Sequence, residues 1–390
     1  DAALAALPDP FAQLTGGVVL RVEDFPDDDV MAAMQKREPV IASARRRALD
    51  GLATGSGDLV GHTLRGFAAH VQHRHLGAAA DSILQQAGHA HLPVMLDDAA
   101  RTIVRQAADR GTGDFVHDVA VDLPLLAIAD LLGVPESDRK KLFDWSNGMM
   151  NYDDPEFAGV DPQMASAEIL GYGYNMAEER RKCPVDDIVS TLVNADIDGQ
   201  HLDEAEFGFF FILLTVAGNE TTRNAISHGM NAFLEHPDQW ELFKSQRPAT
   251  AVDEIVRWAT PVNCFQRTAK RDTQVGGIDI KQGERVGLFY GSANYDEDVF
   301  DDPFTFDISR DPNPHLAFGG NGAHFCIGAN LARLELNLIL NAIADVLPDI
   351  EKIGELRRVR SGWLNGVKEF PVRYGAASAG LTGGGCPVAH

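Results

Sequence analysis

The stretch "FGGNGAHFCIG", residues 318–328, places one cysteine among four glycines and decides how the rest of the chain is interpreted. No other cysteine lies within fifty residues of Cys326 on either side, so this thiol is interpreted alone. The sequence that follows, "IGANLARLELNLILNAIADVLP", has a strong helical pattern and places the thiol at a junction between a loop and a helix. Because the N–H groups at a helix N-terminus stabilise negative charge, this position favours the thiolate.

Three interpretations of Cys326 stay open from spacing alone. The thiolate can ligate a metal or a metal-containing cofactor, and the flanking glycines let the backbone approach a flat, bulky group. The thiol can instead be a structural cysteine in a tight turn. The third interpretation is a nucleophile, for which His324 is an awkward base because it precedes the thiol by two residues in the same loop.

Composition argues against several classes of function. The chain of 390 residues is 45% hydrophobic with a formal net charge of -23, so it can bury a large core and would be repelled by nucleic acid and anionic membranes. The densest basic run, Arg45–Arg47, fits a solvated helix face better than a binding patch. No CxxC or zinc-finger spacing is present, which argues against a disulfide framework and a structural zinc site. The remaining cysteines are Cys183, Cys264 and Cys386.

Two further patterns bear on location and on metal binding. The longest apolar run, residues 207–218, is too short to cross a bilayer, so we expect a cytoplasmic protein. Six of the thirteen histidines fall between residues 62 and 91, where a solvated helix surface is the simpler interpretation and a metal site is the alternative. No carboxylate or cysteine arrangement completes a ligand set there.

Helical periodicity from about residue 113 to 260 predicts a mainly helical protein. The longest helix is predicted from roughly Asp203 to Glu235, ends before Pro237, and spans on the order of 50 Å at about 1.5 Å per residue. This helix is apolar nearly all round between residues 207 and 216, which predicts that this part is buried.

Short strands are predicted on the C-terminal side of the helices. Between residues 261 and 295 the pattern alternates around glycine turns, and Asn365-Gly366 gives another hairpin signal. Small antiparallel sheets should therefore flank the helical body. The last fifteen residues, 376–390, are small, polar and rich in glycine, and predict a flexible tail.

Two polar constellations accompany the cysteine loop. Glu254 and Arg257 are three residues apart on a predicted helix, where they can form an ion pair. The stretch "AGNETT" places Gly218, Glu220 and Thr221 in the middle of a helix that should be apolar, so these groups need partners or a function. A threonine hydroxyl can bond the carbonyl four residues back and loosen the helix, leaving a notch for a small ligand. The alternative is a solvated pair at a kink.

Together these stretches resemble the cytochrome P-450 family of haem-thiolate monooxygenases, in the same order along the chain. The family's haem-loop motif is matched by Phe318, Gly319, His324, Cys326 and Gly328, its Glu-Arg pair by Glu254 and Arg257, and its acid-alcohol pair by Glu220 and Thr221. The resemblance implies a mainly α fold with small flanking antiparallel sheets. It also implies one catalytic domain over residues 1–375, of which residues 1–110 match the family poorly.

The resemblance further implies a haem b cofactor whose iron is ligated by the Cys326 thiolate. Thr221 would hydrogen-bond iron-bound dioxygen, Glu220 would relay protons, and Gly218 would leave space for oxygen. His324 and Arg267 would bind the haem propionates, as cations opposite carboxylates. The structural ion network behind the cysteine loop would be formed by Glu254, Arg257 and Arg310.

Within the family, residues from about 113 to 374 are similar to bacterial steroid side-chain monooxygenases. This likeness implies hydroxylation of the terminal side-chain methyl of cholesterol or cholest-4-en-3-one, with electrons from NAD(P)H through a ferredoxin and its reductase. An apolar cavity suits a sterol because hydrocarbon burial supplies most of the binding energy. The implied lining residues are Leu213, Val216, Ala217, Val262, Phe265, Trp363 and Leu364.

Three alternatives and one departure accompany this interpretation. The alternatives are a hydroxylase of methyl-branched lipids or fatty acids, a haem-thiolate sensor or carrier without turnover, and a cofactor-free helical binding protein. The departure lies near the start of the chain, where these relatives carry a Pro-x-His-Thr-Arg-Leu-Arg pattern. The nearest stretch here, residues 38–52, has Ile41 and Ala42 in place of the His and Thr.

Overall fold

A computed structural model describes five stretches of the chain: residues 92–195, 201–269, 271–275, 277–320 and 325–375, with Ala205 described by its helical backbone alone. The histidine window at residues 62–91 and the predicted tail at residues 376–390 lie outside these described residues. His324 also lies outside them, between two described segments of the cysteine loop.

Helices dominate the described chain, which confirms the mainly α prediction. The ten α-helices of the described residues are α1 (Leu92–Arg110), α2 (Asp122–Leu132), α3 (Glu136–Met150), α4 (Pro162–Lys182), α5 (Ile188–Val193), α6 (Glu204–Glu235), α7 (Pro237–Gln246), α8 (Ala251–Ala259), α9 (Tyr290–Asn294) and α10 (Ala329–Val346). A π-helical turn (Val116–Ala120) and a 3-10 turn (Pro155–Phe157) join them.

The strands are short and antiparallel, as predicted. They are β1 (Thr112–Asp114), β2 (Cys264–Thr268), β3 (Thr273–Val275), β4 (Ile278–Ile280), β5 (Arg285–Phe289), β6 (Glu351–Lys352), β7 (Arg357–Arg358), β8 (Val367–Glu369) and β9 (Pro371–Arg373). In the described chain they form one three-stranded sheet, in the order β1-β9-β6, and the pairs β2-β5, β3-β4 and β7-β8.

The long helix α6 begins and ends where local signals require. The Asp203 carboxylate accepts the backbone N–H of Glu206 at 2.8 Å, and the Glu206 side chain accepts the N–H of Asp203 at 3.0 Å, which completes a capping box. Pro237 starts α7 directly after the C-cap at His236. With 32 residues, α6 is about 48 Å long at 1.5 Å per residue.

Helix α6 crosses the middle of the fold and packs against α2, α4, α8 and α10. Its apolar N-terminal half is buried as predicted, with Phe207 and Phe211 each 1% exposed. Helix α10, which follows the cysteine loop, packs against α1 and α6. The loop before α10 is therefore anchored on helices of the central core.

The hairpin signal at Asn365-Gly366 was partly wrong. Strands β7 and β8 do pair, but residues 359–366 connect them, so these two residues are not a tight two-residue turn. The Asn365 backbone N–H donates to Pro261 O at 2.9 Å and its amide donates to Ala259 O at 2.5 Å. Asn365 therefore fastens the connection to the end of α8.

No helix in the described part of the chain combines the length and the apolarity needed to cross a membrane.

Candidate functional site

The cysteine loop has a defined geometry on both sides of Cys326. The Cys326 N–H donates to Phe318 O at 2.9 Å, and Cys326 O accepts the N–H of Ala329, the first residue of α10, at 3.2 Å. Gly319 has φ +88°, a conformation that strongly favours glycine. The backbone of the loop thus holds the thiol just ahead of the helix N-terminus.

The Cys326 thiol is free, and the residue as a whole is exposed. Atoms packed around the sulfur raise the pKa of Cys326 by desolvation, whereas the Gly328 backbone N–H and the Arg333 charge act in the opposite direction. The polar groups near the sulfur therefore favour negative charge there. Burial outweighs them, so the pKa of the free thiol is raised overall, contrary to the expectation that the helix N-terminus alone favours the thiolate; a bound metal centre would have to stabilise that charge.

Phe318, at the start of the loop, is held by a clamp that sequence analysis missed. The Arg333 guanidinium lies 4.5 Å from the centre of the Phe318 ring, and the His315 ring lies 5.7 Å from it. Asp253 on α8 binds both of these side chains through one oxygen, which lies 2.8 Å from Arg333 Nε and 3.2 Å from His315 Nε2. The hydrogen bond from His315, together with Arg333, lowers the pKa of Asp253.

Glu254 and Arg257 form the expected ion pair, fully buried between α8 and the segment that leads to the cysteine loop. Arg257 Nε and Nη2 donate to the two Glu254 carboxylate oxygens, each at 2.8 Å, and both side chains are 0% exposed. Arg257 Nη1 also donates to the carbonyls of Asn294 at 2.8 Å and Pro303 at 2.9 Å. The pair therefore organises backbone some 37 to 46 residues away.

Glu254 accepts three further hydrogen bonds from that segment. The donors are the Asp307 N–H at 3.0 Å, Arg310 Nε at 3.2 Å and Asn313 Nδ2 at 3.0 Å. Arg310 also donates to the carbonyls of Asp301 and Thr305, at 2.7 and 2.9 Å. The contacts of Glu254, Arg257 and Arg310 thus fit the predicted structural network.

In the middle of α6, Glu220 is fully buried and bound to a cation. Arg223, one turn further along, donates through Nη2 to Glu220 Oε2, and its own side chain is 6% exposed. The other carboxylate oxygen, Oε1, has no hydrogen-bond partner among the described residues. Burial raises the pKa of Glu220, and Arg223 opposes the shift. Sequence analysis missed Arg223, although its spacing from Glu220 is the same as that of Arg257 from Glu254.

Thr221 makes the back-bond that the sequence suggested, and Gly218 packs closely against Ile128. The Thr221 hydroxyl donates to Ala217 O at 2.6 Å, so its oxygen lone pairs remain available to accept a hydrogen bond. A side chain at Gly218 would place its Cβ 2.3 Å from Ile128 Cδ1. The glycine therefore permits α2 and α6 to pack closely, and a role of Gly218 in leaving space for oxygen stays a prediction.

One stripe of α6 is accessible although the helix around it is buried. Leu213, Ala217 and Thr221 are four residues apart and share this face; Leu213 and Thr221 are half-buried and Ala217 is exposed. Val216 and Leu364 were expected to line the same cavity, but they lie in the hydrophobic core at 6% and 2% exposure. Val216 points away because each residue of a helix rotates by about 100° from the last.

The other implied lining residues lie next to one another at the end of α8. Val262 forms an isolated β-bridge with Leu364, which leaves Val262 half-buried while Leu364 faces the core. Phe265 on β2 is 37% exposed, and its ring stacks on Trp363 with centres 6.2 Å apart. The structure therefore brings Val262, Phe265 and Trp363 together.

Arg267 on β2 is a half-buried cation without a carboxylate partner among the described residues. Its Nη1 donates to Gln266 O at 3.1 Å, and its guanidinium lies 6.0 Å from the centre of the Phe265 ring. Its side chain also hydrogen-bonds that of Tyr290. A cation that lacks a carboxylate partner beside an accessible apolar surface fits an anionic group of a ligand. The described residues contain no cluster of three or more His, Cys, Asp or Glu side chains that could bind a metal ion.

Known proteins resemble this chain in sequence. A family model described as "Cytochrome P450" matches residues 249–344, which include Glu254, Arg257 and Cys326. The chain is 67% identical over 295 residues to a steroid C26-monooxygenase of Rhodococcus jostii (strain RHA1), over 76% of this chain and 61% of that relative. It is 45% identical over 267 residues to a methyl-branched lipid omega-hydroxylase of Mycobacterium bovis, over 67% of this chain and 62% of that relative. The chain thus spans about three fifths of the length of these two curated relatives.

The solved structures that resemble it include a Mycobacterium marinum cytochrome P450 in complex with pseudoionone. That structure superposes with a TM-score of 0.72 at 39% sequence identity, and the match covers 78% of this chain and 75% of the other.

Proposed function

Because the chain belongs to the cytochrome P450 family and has its fold, we propose that it is a haem-thiolate monooxygenase that hydroxylates the terminal side-chain methyl of a sterol such as cholest-4-en-3-one or cholesterol. The observation that carries the proposal is the 67% identity to a relative named as a steroid C26-monooxygenase. The described site supports it with a free thiol, an accessible apolar stripe and a cation, Arg267, that has no carboxylate partner among the described residues.

The residues of the site fit haem. Cys326 would hold the iron, because its sulfur lies at a helix N-terminus and accepts an N–H from Gly328. Arg267 would bind a propionate, since it has no carboxylate partner among the described residues. His324, which lies outside the described residues, would bind the other propionate. When bound, haem supplies the activation of O₂ that inserts one oxygen atom into an unactivated C–H bond.

The chain's own contribution is to bind the substrate and to handle protons. Thr221 Oγ gives its hydrogen to Ala217 O, so its oxygen is poised to accept a hydrogen bond at the accessible face of α6. Glu220 would relay protons through Oε1, the oxygen that Arg223 leaves free. Leu213, Ala217 and the stacked pair Phe265–Trp363 would bury the hydrocarbon skeleton at about 25 cal/mol per Å² of apolar area.

Electrons would come from NAD(P)H through a ferredoxin and its reductase, in a cytoplasmic setting. The 45% identity to a methyl-branched lipid omega-hydroxylase supports a second candidate, hydroxylation of a branched lipid at a terminal methyl. Both substrates are hydrocarbons with a terminal methyl, so the same apolar lining would serve either one.

The test is an optical titration of the haem-loaded ferric protein with cholest-4-en-3-one, followed by reduction under carbon monoxide. We expect the sterol to displace water and convert the iron from low to high spin, and the CO band to take the red-shifted thiolate position. A thiolate band without a sterol response would transfer the proposal to the lipid candidate, which a titration with a methyl-branched fatty acid then tests.

Two controls separate the remaining interpretations. Cys326→Ser should abolish the thiolate band, whereas Cys183→Ser, on an exposed thiol at the end of α4, should leave it unchanged. A red-shifted band without hydroxylated product, with ferredoxin and reductase supplied, would favour a sensor or carrier. A protein that binds no haem would overturn the assignment of Cys326.

A further inference from the structure

The interface between α3 and the middle of α6 holds a buried polar chain that the proposed chemistry has not used. From Glu220 the chain passes to Arg223, whose Nη1 donates to Asn147 Oδ1 on α3 at 3.2 Å. The Asn151 amide, at the C-cap of α3, donates to the same Asn147 oxygen at 3.4 Å. Glu220, Arg223 and Asn151 are 0%, 5% and 2% exposed, whereas Asn147 is half-buried, so the series is shielded from bulk water at Glu220 and Arg223 and comes closer to the surface at Asn147.

This series of polar groups ends beside a charged group that reaches the surface. The Asp154 N–H donates to Asn151 O at 3.0 Å, and the Asp154 carboxylate binds Lys368 Nζ at 2.8 Å. Lys368 also contacts Glu156 at 3.0 Å, and the Glu156 side chain is 52% exposed. A continuous series of polar groups therefore runs from the middle of α6 to solvent.

Many polar atoms along this series have no partner among the described residues. Within the series itself, the unpartnered atoms are Asn151 Oδ1, Arg223 Nε and Glu220 Oε1. Their neighbours add both polar atoms of Asn219 and the Ser146 hydroxyl. Asn219 and Arg223 are one turn apart on α6, and Ser146 adjoins Asn147 on α3, so the unpartnered atoms are concentrated at one interface.

Native proteins rarely leave buried polar atoms unbonded, and ordered water is the usual partner where several such atoms lie together. A buried water typically makes about three hydrogen bonds, which a mixture of amide, hydroxyl, guanidinium and carboxylate atoms can supply. We propose that ordered water joins the series Glu220–Arg223–Asn147–Asn151 into a path that supplies protons to Glu220 from the surface beside Asp154.

This inference rests on the proposed function, because only a reaction that consumes protons at α6 needs such a supply. Each proton that leaves Glu220 Oε1 is replaced by one that passes from water to water along the path. Arg223 keeps its charge and Asn147 and Asn151 keep their amides throughout, so all three are positioning residues that orient the water. No electron moves in this step.

The experiment uses the haem-loaded enzyme and Asn147→Leu, which removes the shared hydrogen-bonding group at the centre of the path. We expect turnover to fall roughly tenfold to a hundredfold, less than the ~10²–10⁴ that a positioned proton-transfer group contributes, because Glu220 remains in place. The solvent deuterium isotope effect on turnover should increase, while the sterol spin-state titration and the CO band stay unchanged. Asn147→Ser, which keeps a hydroxyl and leaves room for another water, should restore most of the turnover.

The matched control is Leu142→Val on the same helix, where the residue is 1% exposed and carries no polar side-chain atom. An equal loss of turnover in Leu142→Val, or an unchanged isotope effect in Asn147→Leu, would overturn the path. A crystal structure of the holoenzyme provides a second readout: water bound to Asn219 and to Asn151 Oδ1 supports the path, and a dry interface rejects it.

Failure of the proposed function is recognised separately. If neither a sterol nor a branched lipid is hydroxylated, the isotope effect is measured on oxygen consumption driven by reduced ferredoxin, since the reduction of oxygen consumes protons without any substrate. A change in Asn147→Leu then supports the path, and the absence of a change rejects it.

Discussion

Glu254→Gln should destabilise the protein far more than the same chemical change at its neighbour Asp253. The Glu254 carboxylate accepts five hydrogen bonds from four residues, two of them from the fully buried Arg257 guanidinium. A glutamine keeps the shape but turns one acceptor oxygen into an N–H₂ donor that faces other donors. It also leaves the Arg257 charge buried without its carboxylate.

The expected cost follows from that geometry. Removing one partner of a buried ion pair costs about 3–5 kcal/mol, which is a large part of the roughly 5–15 kcal/mol that stabilises a typical domain. A change of 1 kcal/mol shifts the midpoint of thermal unfolding by about 2–4 °C in a domain of about 150–250 residues, so in this longer chain the midpoint should fall by at most about 6–20 °C. Asp253 is 36% exposed and binds half-exposed Arg333, so Asp253→Asn should cost about 1 kcal/mol or less.

The assay is thermal unfolding of both haem-loaded variants, followed by circular dichroism and by the haem absorption band. The contacts of Glu254 and Arg257 hold residues 294–313, and this segment leads directly into the cysteine loop. Glu254→Gln should therefore also lower the haem content. Equal shifts in the two variants would refute the reasoning, since the argument depends on burial and on the number of donors. A small shift in both would show that the network is not a main source of stability.

Three further predictions address other residues. Gly218→Ala should lower the free energy of unfolding by about 1–3 kcal/mol because its Cβ would meet Ile128. The double variant with Ile128→Ala should lose less stability than the sum of the two single losses. Additive losses, measured by denaturant unfolding, would contradict the close packing. Glu335→Gln should raise the free energy of unfolding more at about pH 8 than at about pH 5: burial raises the pKa of Glu335 well above its ordinary value, so the unfolded chain ionises first and stability falls as pH rises toward the folded pKa. Denaturant titrations at both pH values measure this, and a pH-independent difference would be contrary to it. Arg223→Met should lower both the turnover and the free energy of unfolding, because it removes the cation that pairs with buried Glu220. A surface change such as Arg181→Met should affect neither quantity.

The long helix was predictable because its signals are local. The capping residue Asp203 and the stop at Pro237 are visible in the sequence, and each acts within one turn of the helix end. The Glu254–Arg257 pair was predictable for the same reason, since residues three apart share a helix face. The Glu220–Arg223 pair has the same spacing, so the sequence held that signal too, although "AGNETT" directed attention to the acid and the alcohol alone.

Features that depend on helix phase or on distant partners could not be read in this way. In an apolar run, sequence does not show which residue faces a cavity, and Val216 was therefore grouped with Ala217 although only the latter is accessible. The Asp253 contacts with His315 and Arg333 join residues 62 and 80 positions apart, for which no local pattern exists. From the sequence, Gly218 is a helix position without a side chain, but the sequence does not show that Ile128 packs where a Cβ of residue 218 would lie.

The sequence separation between Glu254 and its partners determines when, during synthesis, the network can form. Domains generally fold as units during synthesis. Arg257 finds its carbonyl partners only at residues 294 and 303, and Glu254 its side-chain amide partner only at Asn313. Until the ribosome has released that segment, α8 carries a guanidinium and a carboxylate that cannot be buried with their full set of partners. Cys326 follows Asn313 by only thirteen residues, so the loop that carries the thiol can be anchored only after this part of the chain has been synthesised.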